Sequence, residues 1–284
     1  MSLSNLLEVM GLDGSRYERV HGGDINEAYK IMREGKSYFL KINEARRYPQ
    51  MFAREKEGLD ALRQSFSLCV SKNISQGEWK DRQYLLLEWI DPGMTREQTL
   101  FHFGQALARM HAMPKNFFGW HTDNYIGSIQ QVNTRVNGWQ EFYSSCRILP
   151  LVKALYDRSA FGTRDLRLAE NLCRKINELV PSEPPSLLHG DLWSGNFMIN
   201  SKGEATIFDP AVYCGHREMD IAMTRLFGGF AAAFYEGYQQ AYPLQPGWES
   251  RVPLFQLYPL LVHALLFGGH YVNTCREILK ENGA

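Results

Sequence analysis

The chain has little that would tie it to a charged polymer or a membrane. Its 31 Lys and Arg balance 31 Asp and Glu over 284 residues, so no net field draws it to nucleic acid or to an anionic surface. It has no CxxC pair. Cys69, Cys146, Cys173, Cys214 and Cys275 are odd in number and scattered, which argues against a zinc site or a disulfide frame and fits reduced thiols in a cytoplasm. The opening MSLSNLLEVMGLDG lacks the basic flank and long apolar run of a signal peptide, so secretion is not expected. The most apolar stretch, LYPLLVHALLFGGHYV at 257–272, is shorter than the roughly 20 residues a span needs. It carries His263 and His270 and reads as a buried helix. Neither nucleic acid nor membrane is an expected partner, and no internal repeat, low-complexity tract or full GxGxxG is present.

A hydrophobic content of 44% is enough for one large domain or two lobes. The period of the pattern changes along the chain. Residues 17–43 predict three short strands, with a Gly-Gly turn at 22 and 23 and an EGK turn at 34–36. A helix is expected at about 49–64, then strands near 69–74 and 83–90. After EWIDPG at 88–93, helical periods dominate: 95–112, 138–157, 163–179, 217–241 and 248–280. This segregation predicts an α+β fold of two lobes, a strand-rich one over 1–90 and a helical one over 91–284, with a small-molecule site in the cleft between them.

Within KSYFLKIN, Lys41 sits in an otherwise apolar strand and needs a carboxylate if it is buried. The following helix offers Glu55, Glu57 and Asp60. At about 100° per residue from Phe52, only Glu55 falls on the side of Leu59 and Leu62. A Lys41–Glu55 ion pair is therefore expected, either as part of a site or as a purely structural bridge. The stretch LLHGDLWSGN at 187–196 has the HxDxxxxN spacing of phosphoryl-transfer loops, in which the Asp takes a proton from the attacking hydroxyl and the Asn ligates magnesium. Asp191 and Asn196 fill those positions. Eighteen residues beyond Asp191, ATIFDP predicts a short strand ending at Asp209, a second hard-oxygen ligand for Mg²⁺. A lone Asp or Asn more often caps a turn, but Lys41, Glu55, Asp191, Asn196 and Asp209 occur in order on suitable elements. Gly22 and Gly23 would let backbone approach phosphates, though two glycines in a hairpin also make a simple turn. The strand LLLEWI, at the lobe junction, suits an adenine-binding hinge through backbone groups of Glu88 and Ile90.

With these residues in place, the chain resembles the fructosamine kinase (ketosamine 3-kinase) family, in the aminoglycoside-phosphotransferase-like branch of the protein-kinase-like fold. The likeness runs nearly end to end and is most specific in LLHGDLWSGN, with support from GGDINEAY, MFAREKEGL, NYIGSIQQVN, FDPAVYCGHREMDIA and YPLQPGWESRVPLFQLY. It implies that Lys41 contacts ATP phosphates, Glu55 orients it, Asp191 is the base, and Asn196 and Asp209 hold Mg²⁺. It also implies that Asp220 supports the catalytic loop. FDPA in place of DFG argues against a protein kinase with a conventional activation loop. Trp193 is either a platform for the sugar of the substrate or a core support for the loop. Gln131 and Asn133 are candidates for shaping the acceptor pocket, while His111, His189 and His216 read as structural, since magnesium prefers oxygen donors. The expected reaction is ATP- and Mg²⁺-dependent phosphorylation of a ketoamine, small or protein-linked, as a deglycation step. The alternatives are an aminoglycoside, choline-like or other alcohol as acceptor, and a nucleotide-binding pseudokinase. The last is disfavoured because none of the five polar positions is lost.

Overall fold

In a computed structural model, residues 3–20, 25–65 and 67–284 are described. The predicted Gly22–Gly23 turn lies outside them. The chain opens with helix α1 (Leu3–Val9) and strands β1 (Arg16–Arg19), β2 (Glu27–Arg33) and β3 (Lys36–Glu44). The β2–β3 turn forms at Glu34 and Gly35, both left-handed, which matches the twist of a tight hairpin. Helix α2 (Met51–Arg63) and strands β4 (Cys69–Val70), β5 (Asn73–Trp79) and β6 (Arg82–Glu88) follow. Five of the strands form one antiparallel sheet in the order β1-β2-β3-β6-β5.

Strand alternation decides what each face of this sheet meets. Leu40, Ile42 and Leu86 pack with Leu6 and Leu7 of α1. Leu85 and Leu87 turn the other way and pack with Phe52, Leu59 and Leu62 of α2. Lys41 lies opposite Leu85 in the register and so shares the α2 face, where it is buried.

Helix α3 (Glu97–His111) begins the helical part. It is followed by a hairpin, β7 (Asn124–Ile126) and β8 (Ile129–Gln131), and by a continuous helical stretch made of α4 (Trp139–Phe142), a π-helical turn at Tyr143–Ile148 and α5 (Leu149–Asp157). Helix α6 (Thr163–Leu179) leads into four short strands: β9 (Ser186–Leu188), β10 (Phe197–Ile199), β11 (Ala205–Ile207) and β12 (Tyr213–Gly215). Helices α7 (Glu218–Thr224), α8 (Ala232–Ala241), α9 (Trp248–Phe267) and α10 (His270–Gly283) complete the chain. Strand β4 pairs in parallel with β11, and one core cluster joins α2 and β6 to α3, Ile207 and Val212. The sheet and the helical part are thus welded by shared apolar burial.

Two expected helices are broken. The 217–241 segment divides into α7 and α8 because Phe227, Gly228 and Gly229 are all left-handed. The 248–280 segment divides at Gly268–Gly269 for the same reason. The 257–272 run is consequently buried only through about Ala264. Phe267 is 57% exposed and His270 is exposed, because the glycine pair carries the chain outward. Among the described residues, α9 is the one helix long and apolar enough to cross a membrane by length and composition. Leu254, Phe255, Leu257 and Leu261 bury it in the largest core cluster.

Helices α3 and α8 cross at a pair of glycines. A Cβ at Gly104 would fall 1.9 Å from the Phe234 carbonyl oxygen, and one at Gly237 would fall 2.0 Å from that of Phe101. Alanine ordinarily favours a helix over glycine by up to about 1 kcal/mol, but overlap with rigid backbone outweighs this. Gly104→Ala and Gly237→Ala are each expected to cost about 1–3 kcal/mol and lower the thermal midpoint by about 3 °C or more, measured by calorimetry.

Candidate active site

The β10–β11 hairpin sets the site's front edge. Its register opposes Phe197 to Ile207, so Asn196 and Asp209, which flank the hairpin, arrive at the same end. Strand β9 pairs with β12 through Leu188 and Tyr213, which lays the loop after β9 beside residues 209–212. The Ala211 amide donates to the His189 carbonyl at 2.9 Å. Gly190, at φ +82°, is the closest point: a Cβ there would lie 2.0 Å from the Ala211 carbonyl oxygen.

Asp220 of α7 holds this loop from behind. Its two carboxylate oxygens accept the backbone N–H groups of His189 and Gly190 at 2.8 and 2.9 Å, and His111 lies 3.2 Å from one of them. Burial opposes its charge, but these donors, led by His111, bring its pKa below the usual carboxylate value. Burial lowers the pKa of His189, keeping a neutral ring that donates from Nε2 to the Phe208 carbonyl at 3.0 Å and accepts the Asp191 amide at Nδ1. His216, also lowered by burial, sits 3.2 Å from the Pro181 carbonyl. His189 and His216 thus strut backbone segments, while His111 links the side chains of Tyr238 and Asp220.

In front of these struts lies a cavity of about 200 Å³ lined by Lys41, Glu55, Asp191, Trp193, Asn196 and Asp209, with Ile25, Asn26 and the β7 hairpin at its margin. Lys41 Nζ donates to Glu55 Oε1 at 2.8 Å and to Asp209 Oδ1. Burial works against the lysine's charge, yet the two carboxylates raise its pKa above the ordinary value. Burial pushes Glu55 upward against the pull of Lys41. Glu57 and Asp60, turned away as the helical geometry predicts, pair instead with Arg54, Lys56 and Arg63.

Asn196 donates Nδ2 to both the Asp191 carbonyl (2.8 Å) and Asp191 Oδ2 (2.9 Å). Its Oδ1 is then the atom able to meet a cation. Together with the Asp209 carboxylate this is a hard-oxygen donor set of the kind Mg²⁺ uses when phosphates and water complete its shell. Asp209 has φ +55°, a left-handed conformation for a residue that precedes proline. The residues between Asp191 and Asn196 make a turn closed by Asn196 N–H to the Trp193 carbonyl at 3.0 Å. Trp193 folds back over Gly195, where a Cβ would lie 2.3 Å from the indole.

Two groups of sequence candidates lie outside this lining. Gln131 and Asn133 are buried one layer behind the cavity. They donate to the Asn124 side chain, and Asn124 and Gln131 in turn donate to the Val212 and Ala211 carbonyls. They brace residues 211 and 212 and are not part of the cavity lining. Glu88 and Ile90 also lie outside the lining, and the Glu88 amide is committed to the Lys72 carbonyl at 2.9 Å. Gly22 and Gly23 are outside the described residues. Sequence reasoning missed Asn124 and the bracing role of the buried Arg147, which donates to Asn133 Oδ1 at 2.7 Å. The only hint of Asn124 was its place in NYIGSIQQVN.

Burial is the main cause that raises the Asp191 carboxyl from 3.8 to about 7. Asn196 opposes the shift, and Asp209 and Asp220 add to it. A carboxyl with a raised folded-state pKa stabilises the fold fully below its unfolded value and loses that contribution as pH rises through about 7. Asp191→Asn keeps an acceptor for Asn196 and removes the charge. At pH 8 the ligand-free variant is expected to be more stable than the parent by on the order of 1–4 kcal/mol. The gap should narrow below pH 7 and close near pH 4, as read from denaturant midpoints across that range.

The family model described as fructosamine kinase matches residues 5–282. A probable ketoamine kinase of Synechocystis is 40% identical over 92% of this chain and 88% of its own length. A chloroplastic protein-ribulosamine 3-kinase of Oryza sativa is 36% identical over 92% of this chain and 77% of its own. A crystal structure from Thermobifida fusca, named for fructosamine-3-kinase, superposes with a TM-score of 0.88 at 34% identity, covering 98% of this chain and 97% of that one. The spectinomycin phosphotransferase APH(9)-Ia, solved with ADP and spectinomycin, shares the fold with a TM-score of 0.63 at 15% identity, over 98% of this chain and 93% of its own. The α+β, two-lobed kinase-like class read from the sequence is thus the one observed, and the chain is a phosphotransferase that belongs to the fructosamine kinase family.

Proposed function

We propose that the protein transfers the γ-phosphoryl group of ATP to a sugar hydroxyl of a ketoamine, with Asp191 as base. The observation that carries this reading is the convergence of Lys41, Asp191, Asn196 and Asp209 on one cavity. With Oδ2 held by Asn196, Asp191 presents Oδ1 to the acceptor hydroxyl and takes its proton as the oxygen attacks phosphorus. A bond from that oxygen to the γ-phosphorus forms, the bond to the β,γ-bridging oxygen breaks, and ADP leaves. A carboxylate with a pKa near 7 is a stronger base than an ordinary one, which suits proton removal at neutral pH.

Lys41, fixed by Glu55, contacts the phosphates. Asn196 Oδ1 and Asp209 would hold Mg²⁺, which would supply positive charge against the phosphates. In this reading Gly22 and Gly23 would approach the phosphates through backbone groups. The Glu88 carbonyl and Ile90 amide take the adenine, with the lobe boundary near residue 90. Trp193 supports the sugar through its ring face. The ketoamine assignment is supported by the family and by the substrates for which its relatives are named. The phosphorylated adduct would decompose and free the amine, a deglycation step.

The test is an ATP/Mg²⁺ assay over ribulosamine, erythrulosamine and fructosamine acceptors beside non-glycated alcohols, with products identified by mass spectrometry. Phosphorylated ketoamine is the expected product, and preference for a non-glycated alcohol would overturn the reading. Asp191→Asn should lower turnover by about 10² to 10⁴ while ATP affinity stays within a few-fold, since it removes the base and no nucleotide contact. Chelation of divalent cations should abolish turnover, and added Mg²⁺ should restore it. Asp209→Ala should raise the Mg²⁺ concentration needed for half-maximal rate by about tenfold or more.

A further inference from the structure

A series of aromatic rings leads out of the cavity, and phosphoryl transfer itself makes no use of it. Trp193, in the cavity lining, meets Phe227 edge-on at 5.9 Å between centroids. Phe227 lies 4.7 Å from His263, which lies 5.2 Å from Tyr271 and 5.6 Å from Phe267. The rings come from the turn after α7, the last turn of α9 and the first turn of α10. Left-handed backbone at Phe227–Gly229 and at Gly268–Gly269 brings these segments together. These glycine breaks turn the three segments' rings toward one another. A second contact ties this region to the cavity: a Cβ at Gly127, another lining residue, would lie 3.2 Å from Leu266 Cδ1 of α9.

The row passes from partly buried to open. Trp193, Phe227, His263 and Tyr271 are partly exposed and Phe267 is 57% exposed. His263 is bonded through Nδ1 to the Pro259 carbonyl at 2.8 Å, and burial lowers its pKa, so it contributes a neutral ring. An apolar row that starts inside a site and ends in solvent is suited to a ligand part that continues out of that site.

The proposed acceptor supplies such a part. A cavity of about 200 Å³ has room for a sugar and a terminal phosphoryl group and little beyond them. In a ketoamine the nitrogen is only a few bonds, on the order of 4–5 Å, from a hydroxyl placed at Asp191, so a substituent leaving past Trp193 meets Phe227 next. We infer that the Phe227–His263–Tyr271–Phe267 row is a specificity shelf for that amine substituent. The occupant it fits is the methylene stem of a lysine whose ε-nitrogen carries the sugar, within a peptide. Aromatic faces pack well on methylenes and attract an ammonium nitrogen. The stem, about 5 Å long, reaches from Phe227 toward the two outer rings, where the flanking peptide lies. The inference rests on the ketoamine reading above.

The test compares two acceptors carrying the same sugar: a ketoamine of methylamine, and one on the lysine ε-nitrogen of a short peptide. The parent and Phe267→Ser, Tyr271→Ser and double variants are assayed, and thermal midpoints confirm folding. The parent is expected to favour the peptide adduct by about tenfold in kcat/KM, mainly through KM, equivalent to one well-packed contact. The double variant should bring that ratio to about twofold or less, with the methylamine adduct's kcat/KM within about twofold of the parent's. An unchanged ratio, or an equal fall for both acceptors, overturns the shelf and leaves the ketoamine reading standing. Turnover of neither adduct by the parent overturns the ketoamine reading, and the shelf with it.

Discussion

A buried lysine cannot stand alone, and the site is organised around that constraint. Lys41 is on the α2 face of the sheet, where neighbouring strand positions are leucines. Leaving its ammonium unpaired there would cost several kcal/mol, so the fold must deliver carboxylates to it. One comes from α2 as Glu55, and the other from the segment after β11 as Asp209. The lysine therefore ties three separate parts of the chain into one geometry. The apolar cluster shared by α2, β6, α3, Ile207 and Val212 makes that geometry rigid.

The loop at 189–196 is fixed by a second carboxylate of a different kind. Asp220 stands behind the cavity and takes no part in its lining; it receives two backbone amides and faces His111, and its pKa is pulled down. Asp191, two residues from one of those amides, has the opposite shift, with its pKa raised to about 7. The contrast follows from donors. Asp220 meets several hydrogen-bond donors, while Asp191 meets the Asn196 amide and the fields of Asp209 and Asp220. Two aspartates close in space, Asp220 buried and Asp191 half-buried, are thus driven apart, one into an anion that anchors backbone and one into a group able to accept a proton near neutral pH.

Much of this is legible in the sequence. Strand alternation exposed Lys41, helical phase selected Glu55, and a five-residue interval linked Asp191 to Asn196. Each of these signals is local, so a periodicity or spacing captures it. What escaped depends on contacts between distant segments. The β7–β8 hairpin has strands of three residues, too short for a clear alternation, yet Asn124, Gln131 and Asn133 use it to brace residues 211 and 212. The breaks at Phe227–Gly229 and Gly268–Gly269 were visible as glycine pairs but were outweighed by the helical periods on either side. Gly190 looks like any loop glycine until the Ala211 carbonyl is seen against it.

The LWSG segment shows how one short insert can serve two ends. The five-residue interval from Asp191 to Asn196 could be spanned by many sequences, but this turn also presents an aromatic ring without covering Asp191. Gly195 solves this by removing the one Cβ that would overlap Trp193, so the indole folds across its own loop. The ring then borders the cavity on one side and Phe227 on the other. In that position Trp193, two residues from Asp191, is also the first ring of the row that leads away from the cavity. On the proposed function, the chemistry at Asp191 and the choice of what hangs from the sugar would be coupled through a single side chain.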